Sequence, residues 1–185
     1  MSKETWQTAI QHEIDFWKHY IETKGPEYPG DFENRMSRDT VLQENLHDCL
    51  PNKEYAMILD VGAGPMTVLG KRHPIKGRSL MITAVDPLAE HYAKIMADNN
   101  VIPPVTTEFA EAEDLQTKFK SETFDLVYCQ NALDHSYDPI KGIEQMIVVV
   151  IKSGWVVLCM KTMRLRTNAI RICTNGIFAK KMDNS

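Results

Sequence analysis

The sequence lacks the features that mark zinc-binding, secreted or membrane-spanning proteins. Its four cysteines, at positions 49, 129, 159 and 173, include no CxxC pair, which favours a reduced protein without a zinc site. The N-terminus "MSKETWQTAIQHEIDFW" carries charge throughout and has no apolar core of a signal peptide. The longest apolar stretch, residues 146–160, is interrupted by Lys152, Ser153 and Gly154 and is too short for a membrane span. These absences predict a cytoplasmic protein with no metal and no membrane partner.

The formal net charge is -4, but the charges are unevenly distributed: the N-terminal part has few basic residues for its acids, and the C-terminal part has almost no acids. Residues 1–57 contain six Lys/Arg against eleven Asp/Glu, whereas residues 161–185 contain six Lys/Arg and a single acid, Asp183. A basic tail of this kind can meet phosphate or nucleic acid, but a solvated or incompletely folded end is the favoured interpretation. Nucleic acid is therefore not expected as a partner.

The length of 185 residues, of which 43% are hydrophobic, predicts one compact unit rather than two. Residues 5–23 carry apolar side chains at helical spacing and end at "KGPEYPG", and a second helix is predicted over 39–50. We expect residues 1–54 to form a helical cap on a domain spanning 55–185. The aromatic stripe of Trp6, Phe16, Trp17 and Tyr20 could cover an acceptor pocket or, as the favoured alternative, pack against helices of the sheet.

From residue 55 onwards, short β-rich runs alternate with helical ones. The runs predict strands near 56–61, 80–85, 105–110, 124–129 and 155–160, and helices near 66–72, 88–99, 112–119 and 139–150. Such alternation is typical of an α/β, Rossmann-like, doubly wound fold with a mostly parallel sheet and helices on both faces. Ligands in this architecture bind at the carboxyl ends of the strands.

The loop after the first strand reads Asp60-Val61-Gly62-Ala63-Gly64-Pro65-Met66. Gly62 and Gly64 allow close backbone approach to a ligand, but Thr67 stands where a dinucleotide fingerprint needs a third glycine. No Gly-Lys-Ser/Thr follows, so a phosphate loop is also excluded. A smaller zwitterionic ligand suits this loop better, with its carboxylate on the loop amides and its ammonium near Asp60.

The next strands also end in residues suited to a nucleoside. Asp86 can accept hydrogen bonds from both ribose hydroxyls, and Pro87 with Leu88 offers an apolar edge to a base; alternatively, Asp86 is a helix N-cap. Glu111 can accept from an adenine amine and the Ala112 amide can donate to a ring nitrogen, although acids here are often first-turn helix charges.

These segments together resemble the class I S-adenosylmethionine-dependent methyltransferases over roughly residues 55–160. "LDVGAGP", "VDP", "AEAEDL", "FDLVYCQNALDH" and "IKSGWVVL" are similar to five motifs of that family, in order. The resemblance implies S-adenosylmethionine as cofactor, bound by ten residues: Asp60, Gly62, Ala63, Gly64, Asp86, Pro87, Leu88, Glu111, Ala112 and Gln130.

Methyl transfer from a sulfonium needs a positioned nucleophile, and an oxygen or protonated nitrogen acceptor also needs a base. His135 is the favoured base, Asp134 is the competing one, and a purely structural role for His135 stays open. The expected acceptor is a small molecule. Because only 25 residues follow Met160, we expect C-terminal strands to be shortened or missing, with room for a helix and one short strand at most. A truncated cofactor-binding module without turnover is the alternative function.

Overall fold

A computed structural model describes residues 3–161, 167–173 and 180–182. These residues form a seven-stranded sheet in the order β3-β2-β1-β4-β5-β6-β7. The strands are β1 (Tyr55–Val61), β2 (Ser79–Asp86), β3 (Thr107–Phe109), β4 (Phe124–Gln130), β5 (Val150–Lys161), β6 (Thr167–Cys173) and β7 (Lys180–Met182). The first five strands run parallel to one another, whereas β6 is antiparallel to both of its neighbours. The predicted Rossmann-like, mostly parallel sheet is confirmed.

Four α-helices lie among these strands: α1 (Lys3–Thr23), α2 (Asp31–Met36), α3 (Ala89–Asp98) and α4 (Pro139–Val149). Three shorter segments, Glu44–Cys49, Ala112–Thr117 and Leu133–His135, form 3₁₀ helices. The helices predicted over 5–23, 88–99 and 139–150 are confirmed, whereas those predicted over 39–50 and 112–119 are reduced to single 3₁₀ segments. The sequence did not indicate α2.

The helix predicted over 66–72 is wrong, because this segment is an irregular loop. The hydroxyl of Thr67 donates to Asp60 Oδ2 at 2.5 Å and accepts the Leu69 amide at 3.1 Å. A side chain that bonds nearby backbone in this way offers the chain an alternative to the helix. The loop also buries Leu69 against the sheet, so its apolar content reflects packing rather than helical periodicity.

Both faces of the sheet are covered, as predicted. Alternate residues of β1 point to opposite faces: Leu59 packs with Met146 and Val149 of α4, and Ile58 packs with Leu46 of the N-terminal segment. A further apolar cluster joins α1 and α2 to α3; its buried members are Tyr20, Ile21, Phe32, Met66, Leu88, Tyr92, Ile95 and Met96. The N-terminal segment is thereby held against the carboxyl edge of the sheet.

The C-terminal part differs from the expectation in one respect. Two strands, β6 and β7, follow β5, where we expected a helix and one short strand at most. The seventh strand has only three residues, so the predicted shortening is seen. Because β6 pairs with β5 from Trp155 to Lys161, β5 lies inside the sheet.

Candidate functional site

A cavity of about 670 Å³ opens at the carboxyl edge of the parallel strands. The ten residues expected to bind cofactor all line it: Asp60, Gly62, Ala63, Gly64, Asp86, Pro87, Leu88, Glu111, Ala112 and Gln130. His135 lines it as well, but Asp134 does not. Residues from four strand ends, up to 70 positions apart in sequence, thus meet around one space.

The backbone amides of the glycine loop are held by hydrogen bonds to the end of β2. The amides of Gly62 and Ala63 both donate to the Val85 carbonyl, at 2.8 and 3.1 Å, and the Gly64 amide donates to Asp86 Oδ2 at 3.0 Å. The sequence led us to expect a ligand carboxylate on these amides. The structure differs, because all three are engaged with β2 and its end, and Pro65 has no amide hydrogen.

Both loop glycines have a left-handed backbone, with φ of 71° at Gly62 and 64° at Gly64. A Cβ at Gly62 would lie 2.2 Å from the Ala132 side chain, and one at Gly64 would lie 2.7 Å from the indole of Trp17. Glycine is therefore required here by torsion and by space. The contact with Trp17 places α1 directly over the loop.

Asp60 is a buried acid at the end of β1, only 2% exposed. Burial raises the pKa of its carboxyl to about 7, although the Thr67 hydroxyl and the nearby cations of Arg35 and Lys71 lower it. Desolvation thus outweighs the favourable partners. A ligand cation reaching Asp60 would favour the ionised carboxylate.

Asp86 ends β2 and ties two loops together. Its Oδ2 accepts the Gly64 amide and its Oδ1 accepts the Leu88 amide at 2.9 Å. Each carboxylate oxygen can accept a second hydrogen bond, so both can still receive a hydroxyl. Burial raises the pKa of this carboxyl to about 6. The alternative role as an N-cap is not seen, because Leu88 is the residue that precedes α3.

Two acids near the end of β3 connect to the segment that follows β4. Glu111 Oε2 accepts the Tyr137 hydroxyl at 2.8 Å. Glu113, 3% exposed, accepts the Ser136 hydroxyl at 2.5 Å and the Asp138 amide at 3.1 Å. Sequence reasoning missed Glu113, Ser136 and Tyr137 as lining residues, although "DHSYDP" lies just beyond the fourth strand, after Asn131, Ala132 and Leu133.

The end of β4 supplies the remaining predicted residues. Gln130 accepts a hydrogen bond from the Tyr128 hydroxyl, which orients its amide at the cavity wall. His135 and Asp134 are 62% and 55% exposed in their side chains, and His135 Nε2 lies 3.7 Å from Asp134 Oδ2. The structure therefore brings His135 to the rim of the cavity and leaves Asp134 outside its lining.

The N-terminal segment forms the opposite wall, which the sequence did not indicate in detail. Trp17 packs edge-on against Tyr92 of α3 at 6.3 Å between ring centroids, and both line the cavity with Phe16 and Tyr20. The two alternatives for the aromatic stripe thus coincide, because its residues pack on a helix and also enclose the cavity. The Trp6 side chain lies outside the described part.

Acidic groups predominate in the lining: Glu13, Glu27, Asp31, Asp60, Asp86, Glu111 and Glu113. Among the described residues that line the cavity, Arg35 is the one Lys or Arg. A cavity with this balance suits a ligand that carries positive charge. The carboxyl groups of Asp86 and Glu111 and the apolar side chains that line the same cavity also suit an adenosyl group, so the residues present fit a sulfonium cofactor.

Within residues 3–161, 167–173 and 180–182, no group of three or more His, Cys, Asp and Glu side chains is arranged to hold a metal ion. The same residues contain no helix of the length and apolarity that crossing a membrane requires.

The sheet order and the cavity at the strand ends define a Rossmann-like domain of the kind found in methyltransferases. Residues 59–158 match the methyltransferase domain family, and the chain belongs to that family, whose cofactor is S-adenosylmethionine. No curated protein matches the sequence significantly.

Solved structures share the fold at low sequence identity. A protein assigned as a methyltransferase, in complex with the Haloferax volcanii Trm112 methyltransferase activator, is 14% identical with a TM-score of 0.50, over 80% of this chain and 59% of that one. A SAM-dependent methyltransferase of Thermotoga maritima is 17% identical with a TM-score of 0.48, over 80% and 61%. The YcgJ protein of Bacillus subtilis is 19% identical with a TM-score of 0.45, over 63% and 48%. The chain thus spans about half to three fifths of the length of these proteins.

Proposed function

We propose that this chain binds S-adenosylmethionine in the cavity at the carboxyl edge of its sheet and transfers the methyl group to a small-molecule acceptor. The observation that carries the proposal is the convergence of all ten predicted cofactor residues on that one cavity. In this assignment residues 1–54 act as a cap on the cofactor-binding domain, residues 55–185. The cap supports the proposal by supplying Trp17 and Tyr20 to the same cavity.

The cofactor contacts follow from the chemistry of each strand end. Asp86 receives the ribose hydroxyls through the oxygen lone pairs that its two amide bonds leave over. Leu88 and Ala112 enclose the adenine, and Glu111 accepts from its amine. Asp60 lies near the ammonium of the methionine end. Gly62, Ala63, Pro87 and Gln130 complete the walls, and Gly64 permits close approach.

When bound, the cofactor supplies a methyl carbon on a cationic sulfur, which an acceptor nucleophile can attack in line. The residues of this chain position the two reactants and exclude water, which supplies much of the rate. An oxygen or ammonium acceptor also loses a proton, and we propose His135 at the cavity rim as the base that takes it. Asp134 is the weaker proposal, because it lies outside the cavity lining.

A second candidate function is cofactor binding without turnover. It is favoured by the length of the chain relative to the solved structures, of which it spans 48%, 59% and 61%.

An assay for the formation of S-adenosylhomocysteine from S-adenosylmethionine distinguishes the two candidate functions. We test a panel of possible methyl acceptors: amines, alcohols, thiols and carboxylic acids. The full chain should form S-adenosylhomocysteine with one of these classes of acceptor. His135→Gln should slow release and change its pH dependence if His135 is the base, whereas Glu90→Gln, on the exposed start of α3, should not. Tight cofactor binding without release for any acceptor would instead support the binding module.

A further inference from the structure

The position of Arg35 explains how the amino-acid end of the cofactor can be held. A zwitterionic ligand presents a carboxylate as well as an ammonium, and the glycine loop cannot take the carboxylate because the amides of Gly62, Ala63 and Gly64 are already bonded. Pro65 contributes no amide hydrogen. The anion therefore needs a donor from another part of the structure.

Arg35 stands at the end of that loop although it belongs to α2. Its Nη1 donates to the Met66 carbonyl at 2.6 Å, and its Nε donates to Asp31 Oδ2 at 2.8 Å. The guanidinium carbon also lies 5.5 Å from the centre of the Trp17 ring, within the range of a cation–π contact. The side chain is 13% exposed, so it is held in one place with little freedom to lose on binding.

The guanidinium retains donors for a ligand. It carries five N–H groups, more than its bonds to Met66 and Asp31 and its contact with the Tyr20 hydroxyl consume, and it lines the cavity. A guanidinium is also suited to a carboxylate, because its paired N–H groups match the two oxygens.

Arg35 and Asp60 bring a guanidinium and a carboxyl group to one end of the cavity, because Arg35 bonds the Met66 carbonyl and Asp60 accepts the hydroxyl of the next residue, Thr67. Arg35 lies close enough to Asp60 to lower the pKa of that carboxyl, against the larger effect of burial, which raises it. An α-amino acid group carries the complementary pair of charges. Lys71 also lies near Asp60, but its Nζ donates to the Thr67 carbonyl at 3.2 Å and it does not line the cavity.

Resting on the proposed cofactor, we infer that Arg35 is the carboxylate-binding residue for the amino-acid end of S-adenosylmethionine. The cap, rather than the glycine loop, thus makes the site selective for a nucleoside that carries an amino acid. The nucleoside end is bound independently of Arg35, through Asp86 and its neighbours.

Two ligands separate these ends in calorimetric titrations of the full chain. S-adenosylhomocysteine carries the amino acid, and 5′-methylthioadenosine lacks it. Arg35→Met should lower the affinity for S-adenosylhomocysteine by about 10- to 100-fold, the range expected for a charged hydrogen bond. The affinity for 5′-methylthioadenosine should be unchanged. Arg35→Lys should lose less, because it keeps the charge without the paired donors. The matched control is Lys71→Met, which removes the other cation near Asp60 and should change neither affinity.

Three results would overturn the inference. An equal loss of affinity for both ligands in Arg35→Met would show that Arg35 has only a structural role in α2. Unchanged affinity for S-adenosylhomocysteine would show that Arg35 does not bind it. Wild-type protein that binds 5′-methylthioadenosine as tightly as S-adenosylhomocysteine would refute the anchor while leaving the nucleoside site in place. Binding of neither ligand to the wild type would contradict the proposed function itself.

Discussion

Asp60→Asn should make the unliganded protein more stable at alkaline pH while weakening its cofactor binding. The carboxyl of Asp60 is 2% exposed, and burial raises its pKa from 3.8 to about 7. This shift of roughly three units corresponds to about 4 kcal/mol of unfavourable free energy for the ionised folded form. Asparagine has nearly the same shape, keeps an oxygen to accept the Thr67 hydroxyl, and carries no charge.

The pH window follows from the direction of the shift. Between about pH 4 and pH 7 the folded protein holds the Asp60 proton more tightly than the unfolded chain, so stability from this group falls as pH rises. Above pH 7 the loss is complete. The stability difference between Asp60→Asn and wild type should therefore grow in favour of the variant from pH 5 to pH 8, by about 2 to 3 kcal/mol.

Urea unfolding followed by tryptophan fluorescence measures this difference at each pH. A constant offset from altered packing shifts every point equally and leaves the pH dependence intact. A difference that stays flat from pH 5 to pH 8, or moves towards the wild type, would refute the reasoning. S-adenosylhomocysteine should bind the variant more weakly although its fold is more stable, because the carboxylate that we propose for the ammonium has been removed.

Two further predictions concern packing and thiol reactivity. Gly64→Ala should destabilise the fold by about 2 kcal/mol, since alanine disfavours left-handed backbone and its methyl would meet Trp17 at 2.7 Å. Gly77→Ala, at φ 85° with open space, measures the cost of the backbone conformation alone. Equal urea midpoints for the two variants would contradict the clash with Trp17. In the native protein, thiol labelling should be fastest at the partly exposed Cys173 and slow at the buried Cys49, whose pKa burial raises to about 11. Rapid labelling that persists in Cys173→Ser would contradict this order.

The sheet and the location of the site were predictable because each depends on local patterns. Every predicted strand is present. Asp60 and Asp86 lie at the ends of their strands and Glu111 follows β3, so the parallel topology must bring them to one edge. The glycines at 62 and 64 likewise indicate close approach from their residue type alone.

Contacts between distant segments were not predictable from those patterns. The hydrogen bonds that engage the Gly62, Ala63 and Gly64 amides depend on how β1 and β2 align. The role of Arg35 depends on α2, a six-residue helix without a periodic signal long enough to detect. The segment 66–72 has helix-like apolar content, and only the Thr67 hydrogen bonds explain why it forms a loop.

Binding of S-adenosylhomocysteine to wild-type protein and to Asp86→Asn tests the central claim most directly. Both oxygens of Asp86 accept loop amides at the cavity wall, and we propose that they also accept the ribose hydroxyls. We predict saturable binding to the wild type, at least about tenfold weaker binding to Asp86→Asn, and unchanged binding to Glu90→Gln, an exposed acid nearby on α3. No binding to the wild type, or equal affinity for Asp86→Asn, would contradict the account.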